Sequence, residues 1–217
     1  MYWKKKQINY IKKKNLRINK IFQLSVNGLV LFALCLLPGI ATADYPTETL
    51  IKNAMKNDPE PGKLKSYDYY MKILIELAKL NPKLPFSAMI INTNNGKILC
   101  TGLNLTKPNG NPIWTAEIVA IDNCAKQYPN HDWKNTALIT TAEPDIMSQE
   151  AIIRFGIPLT VYGTSLPFII KQGKPVVNIR AEYVIKHAPY YHGRIIGNVL
   201  ENKTNHLYEN LKANHIH

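Results

Sequence analysis

Two carboxylates stand where helices should begin. Glu117 follows Trp114-Thr115-Ala116 at the head of one helically spaced apolar run. Asp145 follows Ala142-Glu143-Pro144 at the head of another, with Ser148 three residues on. The first turn of a helix has unpaired N–H groups and the positive end of the helix dipole, so both positions favour an anion. If the two helix starts face each other across a sheet edge, Glu117 and Asp145 can work as an acid/base pair or share a hard cation such as Mg²⁺ or Ca²⁺. Plainer roles compete with these. Glu117 can simply be satisfied by the dipole, and Asp145 can cap its helix with Ser148 completing the turn. Trp114 could stack on a base and Phe86 could wall a pocket, although core packing suits both. His187 and His192 form the one local histidine cluster, at a pocket mouth or in a solvated loop. No Cys-x-x-Cys pair, glycine-rich phosphate loop or Gly-x-Ser-x-Gly elbow occurs.

The elements that must position these residues are legible from periodicity. Thr47 to Asn57 reads as a short helix in a polar arm, residues 44–65. Tyr67 to Leu80 has helical apolar spacing and is stopped by Asn81-Pro82. Phe86 to Asn92 and Lys97 to Leu103 read as a hairpin around Asn94-Asn95-Gly96. A helix from Thr115 to Gln127, a buried strand from Asn135 to Thr141 and a helix from Pro144 to Phe155 follow, with Pro144 in the first turn. Leu159 to Tyr162 is a short strand. Ser165 to Gln172 and Ile179 to His187 are short helices, and Arg194 to Val199 precedes a last helix, Glu201 to Leu211. This order predicts an α/β/α sandwich with a mixed sheet over residues 66–213.

The charge of the 217-residue chain is unevenly placed. The formal net charge is +12, but residues 1–43 hold eight of the 27 basic residues and none of the 15 acidic ones. The remainder is close to neutral, so the basic total is no argument for a nucleic-acid partner. A basic start, a short apolar stretch from Gly28 to Leu37, Pro38-Gly39 and Ala41-Thr42-Ala43 are the parts of an export signal. Residues 1–43 are therefore expected to be cleaved after Ala43, giving a periplasmic or secreted protein without a stable membrane span. Cys100 and Cys124 remain. An oxidising compartment permits a bond between them. The simpler expectation is two small buried apolar residues.

Taken together, Pro85-Phe86-Ser87-Ala88-Met89, Gly102-Leu103-Asn104, Ala116-Glu117-Ile118-Val119-Ala120, Thr140-Thr141-Ala142-Glu143-Pro144 and Val161-Tyr162-Gly163 resemble the cytidine deaminase-like superfamily. The branch is that of guanine deaminases and tRNA adenosine deaminases. The resemblance implies a three-layer α/β/α sandwich with a mixed five-stranded sheet, and a homodimer. It also implies a purine- or cytidine-type base pocket, with Asn104 as the strand-end asparagine that contacts the base or sugar. Zinc deaminases carry H-x-E and P-C-x-x-C, where the metal activates water and the glutamate moves protons. Here Glu117 matches the glutamate, but Thr115, Asp145 and Ser148 stand at the three ligand positions. Neutral hydroxyls are weak zinc ligands. The expectation is a degenerate member with no zinc cofactor, which keeps the pocket for a nucleobase-like molecule or a partner. The alternative is an active hydrolase with an atypical metal site or a Glu117/Asp145 pair.

Overall fold

The computed structural model describes residues 46–58, 60–107 and 110–209. The expected export signal and the end of the last expected helix lie outside these residues. The chain runs α1 (Thr47–Lys56), α2 (Tyr67–Ala78), β1 (Ser87–Asn92), β2 (Ile98–Leu103), α3 (Ala116–Gln127), β3 (Thr136–Ala142), α4 (Ile146–Phe155), β4 (Leu159–Thr164), α5 (Leu166–Lys171), α6 (Ala181–Lys186), β5 (Arg194–Ile196) and α7 (Glu201–Asn205). Among the described residues no helix is long and apolar enough to cross a membrane.

The five strands form one mixed sheet in the order β2-β1-β3-β4-β5. β1 pairs antiparallel with both β2 and β3, whereas β3–β4 and β4–β5 are parallel. Asn95-Gly96 makes the hairpin, with Gly96 at φ +69 in the left-handed region. Side chains alternate across the pleat, so each central strand feeds two cores. Met89, Ile91, Ala137, Ile139 and Val161 pack under α2 through Tyr70, Met71, Leu74 and Leu77. Ala88, Ile90, Leu138 and Ala142 face the other way, onto Ala116, Ala120 and Ile121 of α3 and Ile152 of α4. Helices on both faces of the sheet make the α/β/α sandwich that the element order predicts.

Two boundaries move. Pro144 lies before α4 rather than in its first turn, because the side chain of Asp145 accepts the Ser148 N–H and becomes the N-cap. α7 ends at Asn205, short of the expected Leu211, and the described part beyond it is turn.

The cysteines are a clear correction. Cys100 and Cys124 are not two separate apolar residues but a disulfide between β2 and α3, with Cα atoms 5.5 Å apart. The cause is a close helix–strand crossing. Cys100 and Gly102 share one face of β2, and Ala120 and Cys124 share one face of α3. A Cβ on Gly102 would collide with the Ala116 carbonyl and the Ala120 amide. The missing side chain lets α3 settle onto β2 and brings the sulfurs together. Closing a segment of this length in the unfolded chain stabilises the fold by roughly 3 kcal/mol. The same crossing holds the start of α3, and with it Glu117, against the sheet.

Gly102→Ala should therefore cost about 1–3 kcal/mol by overpacking, read as a lower denaturant midpoint at unchanged slope. A neutral substitution would show that the crossing has slack.

Candidate functional site

Glu117 sits in the first turn of α3 and is 5% exposed. A carboxylate so buried needs partners. The Thr140 hydroxyl, on β3, donates to one carboxylate oxygen at 2.5 Å. The Ser148 hydroxyl, in α4, reaches the other at 3.4 Å. Burial raises the pKa of Glu117 above its ordinary 4.5, the Thr140 hydrogen bond pulls it down, and the charge of Asp145 pushes it up again. Relative to an exposed glutamate, burial favours the protonated form.

Thr115, Asp145 and Ser148 come together beside it. Thr115 is the N-cap of α3, accepting the Ile118 N–H at 3.3 Å. Asp145 accepts the Ser148 N–H at 2.8 Å. The Thr115 and Ser148 hydroxyls are hydrogen-bonded to each other at 2.9 Å. Two helix N-termini do meet here, as the residue pattern predicts. Each of the three side chains is already used by the fold, two as caps and two in a mutual bond.

These residues line a cavity of about 40 Å³, together with Phe86, Asn104, Glu143 and Lys174. That is room for a few waters. Phe86 forms a wall and packs on Tyr208, ring centroids 4.8 Å apart. Asn104 is buried, and its side-chain oxygen accepts from the Thr106 N–H (3.1 Å) and hydroxyl (2.7 Å). Only its amide N–H groups are left to offer a ligand. Trp114 is half-buried and does not line the cavity, and neither do His187 and His192, which are exposed.

Two charged lining residues were missed from the sequence. Glu143 is a structural anchor: it accepts the N–H groups of Leu166 (2.8 Å) and Ala181 (2.9 Å), at the starts of α5 and α6. The Arg180 guanidinium pairs with both of its oxygens, at 2.7 and 2.8 Å. One buried charge thereby holds two helix starts. The available signal was the acidic residue directly before Pro144. The other is Lys174. Its ammonium lies 3.5 Å from the centroid of the Phe86 ring, a cation–π contact. Burial pushes its pKa down to about 8, opposed by the charges of Glu117 and Asp145, so it is still a cation at neutral pH. Only Gly173, a helix terminator, hinted at a turn that could send Lys174 inward.

The comparisons with known proteins agree with this architecture. A family profile for the cytidine and deoxycytidylate deaminase zinc-binding region matches residues 64–164. The tRNA-specific adenosine deaminase of Buchnera aphidicola (subsp. Baizongia pistaciae) is 38% identical over 98 residues, 44% of this chain and 59% of that protein. The tRNA-specific adenosine deaminase subunit tad2 of Schizosaccharomyces pombe is 28% identical over 119 residues, 54% of this chain and 29% of that one. The chain thus spans little more than half of one curated relative and under a third of the other. Among solved structures, the guanine deaminase of Nitrosomonas europaea superposes with a TM-score of 0.64 at 20% identity, over 86% of this chain and 99% of that one. A solved complex with 2,6-diaminopurine gives 0.63 at 20% identity, over 76% and 89%. The chain has the cytidine deaminase-like fold.

Zinc, which that fold family implies, does not suit the residues present. Two of its three ligand positions hold neutral hydroxyls bonded to each other, and the third is a capping carboxylate. Among the described residues no group of three or more His, Cys, Asp or Glu is placed to hold a metal ion. The donor set is not that of a zinc deaminase.

The burial of Glu117 has a testable cost. Because its folded pKa is raised, the folded state holds the proton more tightly than the unfolded chain does. The stability this gives is complete below the ordinary 4.5 and is lost as pH rises through the folded value. Glu117→Gln removes that loss. The variant should melt higher than the parent at pH 8, by about 2–4 °C per kcal/mol regained, with the gap closing at pH 4. A gap that does not change with pH would contradict this.

Proposed function

We propose that this chain is an exported, degenerate deaminase-fold protein that binds a nucleobase-like small molecule without zinc-dependent hydrolysis. The observation that carries the reading is Glu117, kept buried and hydrogen-bonded in a cavity with an aromatic wall although the ligand positions around it hold hydroxyls and a cap. A buried carboxylate costs stability, and functional sites are where such costs collect. Glu117 offers an acceptor to a ring N–H, the Asn104 amide offers donors, and Phe86 offers a flat apolar face. The guanine deaminase and the 2,6-diaminopurine complex among the similar structures support a purine-like ligand as the first to test.

The cavity is well below the size of ordinary ligand sites, about 300–1,000 Å³. A planar base must therefore displace the Lys174 side chain from Phe86, and binding proceeds with local opening of the segment after α5. Export is supported by the basic and apolar leader and by the Cys100–Cys124 disulfide, which suits an oxidising compartment. The alternative of a Glu117/Asp145 acid/base pair is less well supported, because Asp145 is committed to the Ser148 N–H.

Calorimetric titration of the oxidised protein with guanine, hypoxanthine, adenine, cytosine and their nucleosides tests the reading. At least one should bind, and Glu117→Ala should weaken it about tenfold or more, as expected for an unmet buried polar partner worth about 1–3 kcal/mol. Absence of binding by the whole set, or binding indifferent to Glu117, would overturn it.

A further inference from the structure

Lys174 is placed by local backbone geometry. α5 ends at Lys171, and Gly173 takes the left-handed conformation at φ +85. The Gly173 N–H bonds the Ile170 carbonyl at 2.8 Å, and the Lys174 N–H approaches that of Ile169 at 3.4 Å. This is the glycine-terminated helix end that reverses the chain. Pro175 then holds Lys174 extended. The ammonium lies over the Phe86 ring, and Lys174 lines the same cavity as Glu117, Asp145, Thr115 and Ser148.

Charge accounting gives this placement a meaning. In a zinc deaminase, a doubly positive ion with neutral water faces two thiolates, a neutral histidine and the glutamate, a formal total of −1. Here Glu117 and Asp145 line the cavity with one lysine, and with both carboxylates ionised that formal total is also −1. Glu143 is balanced separately by Arg180. Thr115 and Ser148 are neutral and bond each other, so they leave this total unchanged.

We propose that Lys174 is a tethered counter-cation that takes the electrostatic place of the metal, so that Lys174 and a zinc ion exclude each other from this cavity. The inference does not rest on any ligand being bound. Restoring the ligands alone is then insufficient, because the incoming ion shares its cavity with an ammonium.

The test is zinc affinity, by competition with a chromophoric chelator, in two variants of the full-length chain. One carries Thr115→His, Asp145→Cys and Ser148→Cys. The other adds Lys174→Met. The variant lacking the ammonium should bind zinc at least tenfold more tightly. Equal affinities, within about twofold, would overturn the proposal. Because these variants alter several buried positions, a double-mutant cycle in the natural sequence gives a second readout. Lys174→Met and Glu117→Gln should be coupled in melting temperature at pH 7, the glutamine recovering part of what the methionine loses. Strictly additive effects would count against a counter-cation.

Discussion

The burial of the Glu117 carboxylate is the constraint on which the rest of the site depends. A carboxyl group removed from water at the foot of a cavity must be hydrogen-bonded, charge-compensated or protonated. Each neighbour answers one of these demands. Thr140 supplies a hydroxyl from β3, Ser148 supplies a second, weaker one, and Lys174 supplies positive charge from the end of α5. The position of Glu117 in turn depends on α3 lying close on β2, which Gly102 permits and the Cys100–Cys124 bond secures. A glycine on an edge strand therefore controls the depth at which an acid is held on the neighbouring helix.

The periphery of the cavity follows a similar logic. Glu143 gathers the starts of α5 and α6 around one carboxylate, and Arg180 closes the arrangement from outside with a further bond to the Tyr162 hydroxyl at 3.0 Å. Tyr208 backs the Phe86 wall, donating to Thr141 at 2.7 Å and packing on the Phe86 ring. The wall is thus assembled from well-separated parts of the chain.

Much of this was legible in the residues. The continuous β-rich apolar runs in Phe86–Asn92 and Asn135–Thr141 and the helical spacing in Tyr67–Leu80 are local signals, and the order of such elements gave the layers and the mixed sheet. The meeting of Thr115, Glu117, Asp145 and Ser148 was legible because the resemblance to the deaminase superfamily puts these four at the positions of its metal ligands and acid/base glutamate. What was not legible depends on distances between elements. Cys100 and Cys124 read as two small apolar residues because the pairing arises only when Gly102 lets the helix descend. The placement of Lys174 in the cavity that Glu117 lines needs a helix of the right length and a left-handed glycine, neither of which has a period. Arg180 finds Glu143 across 37 positions of chain, and nothing local marks that pairing.

The site is organised by hydroxyls and carboxylates, with an ammonium in the same cavity. The most direct measurement is the zinc content of the oxidised protein, purified without chelators and determined by elemental analysis alongside ammonia release from guanine, adenosine and cytidine. The account predicts zinc far below one per chain and no ammonia. One zinc per chain, removed by chelation together with turnover, would contradict it.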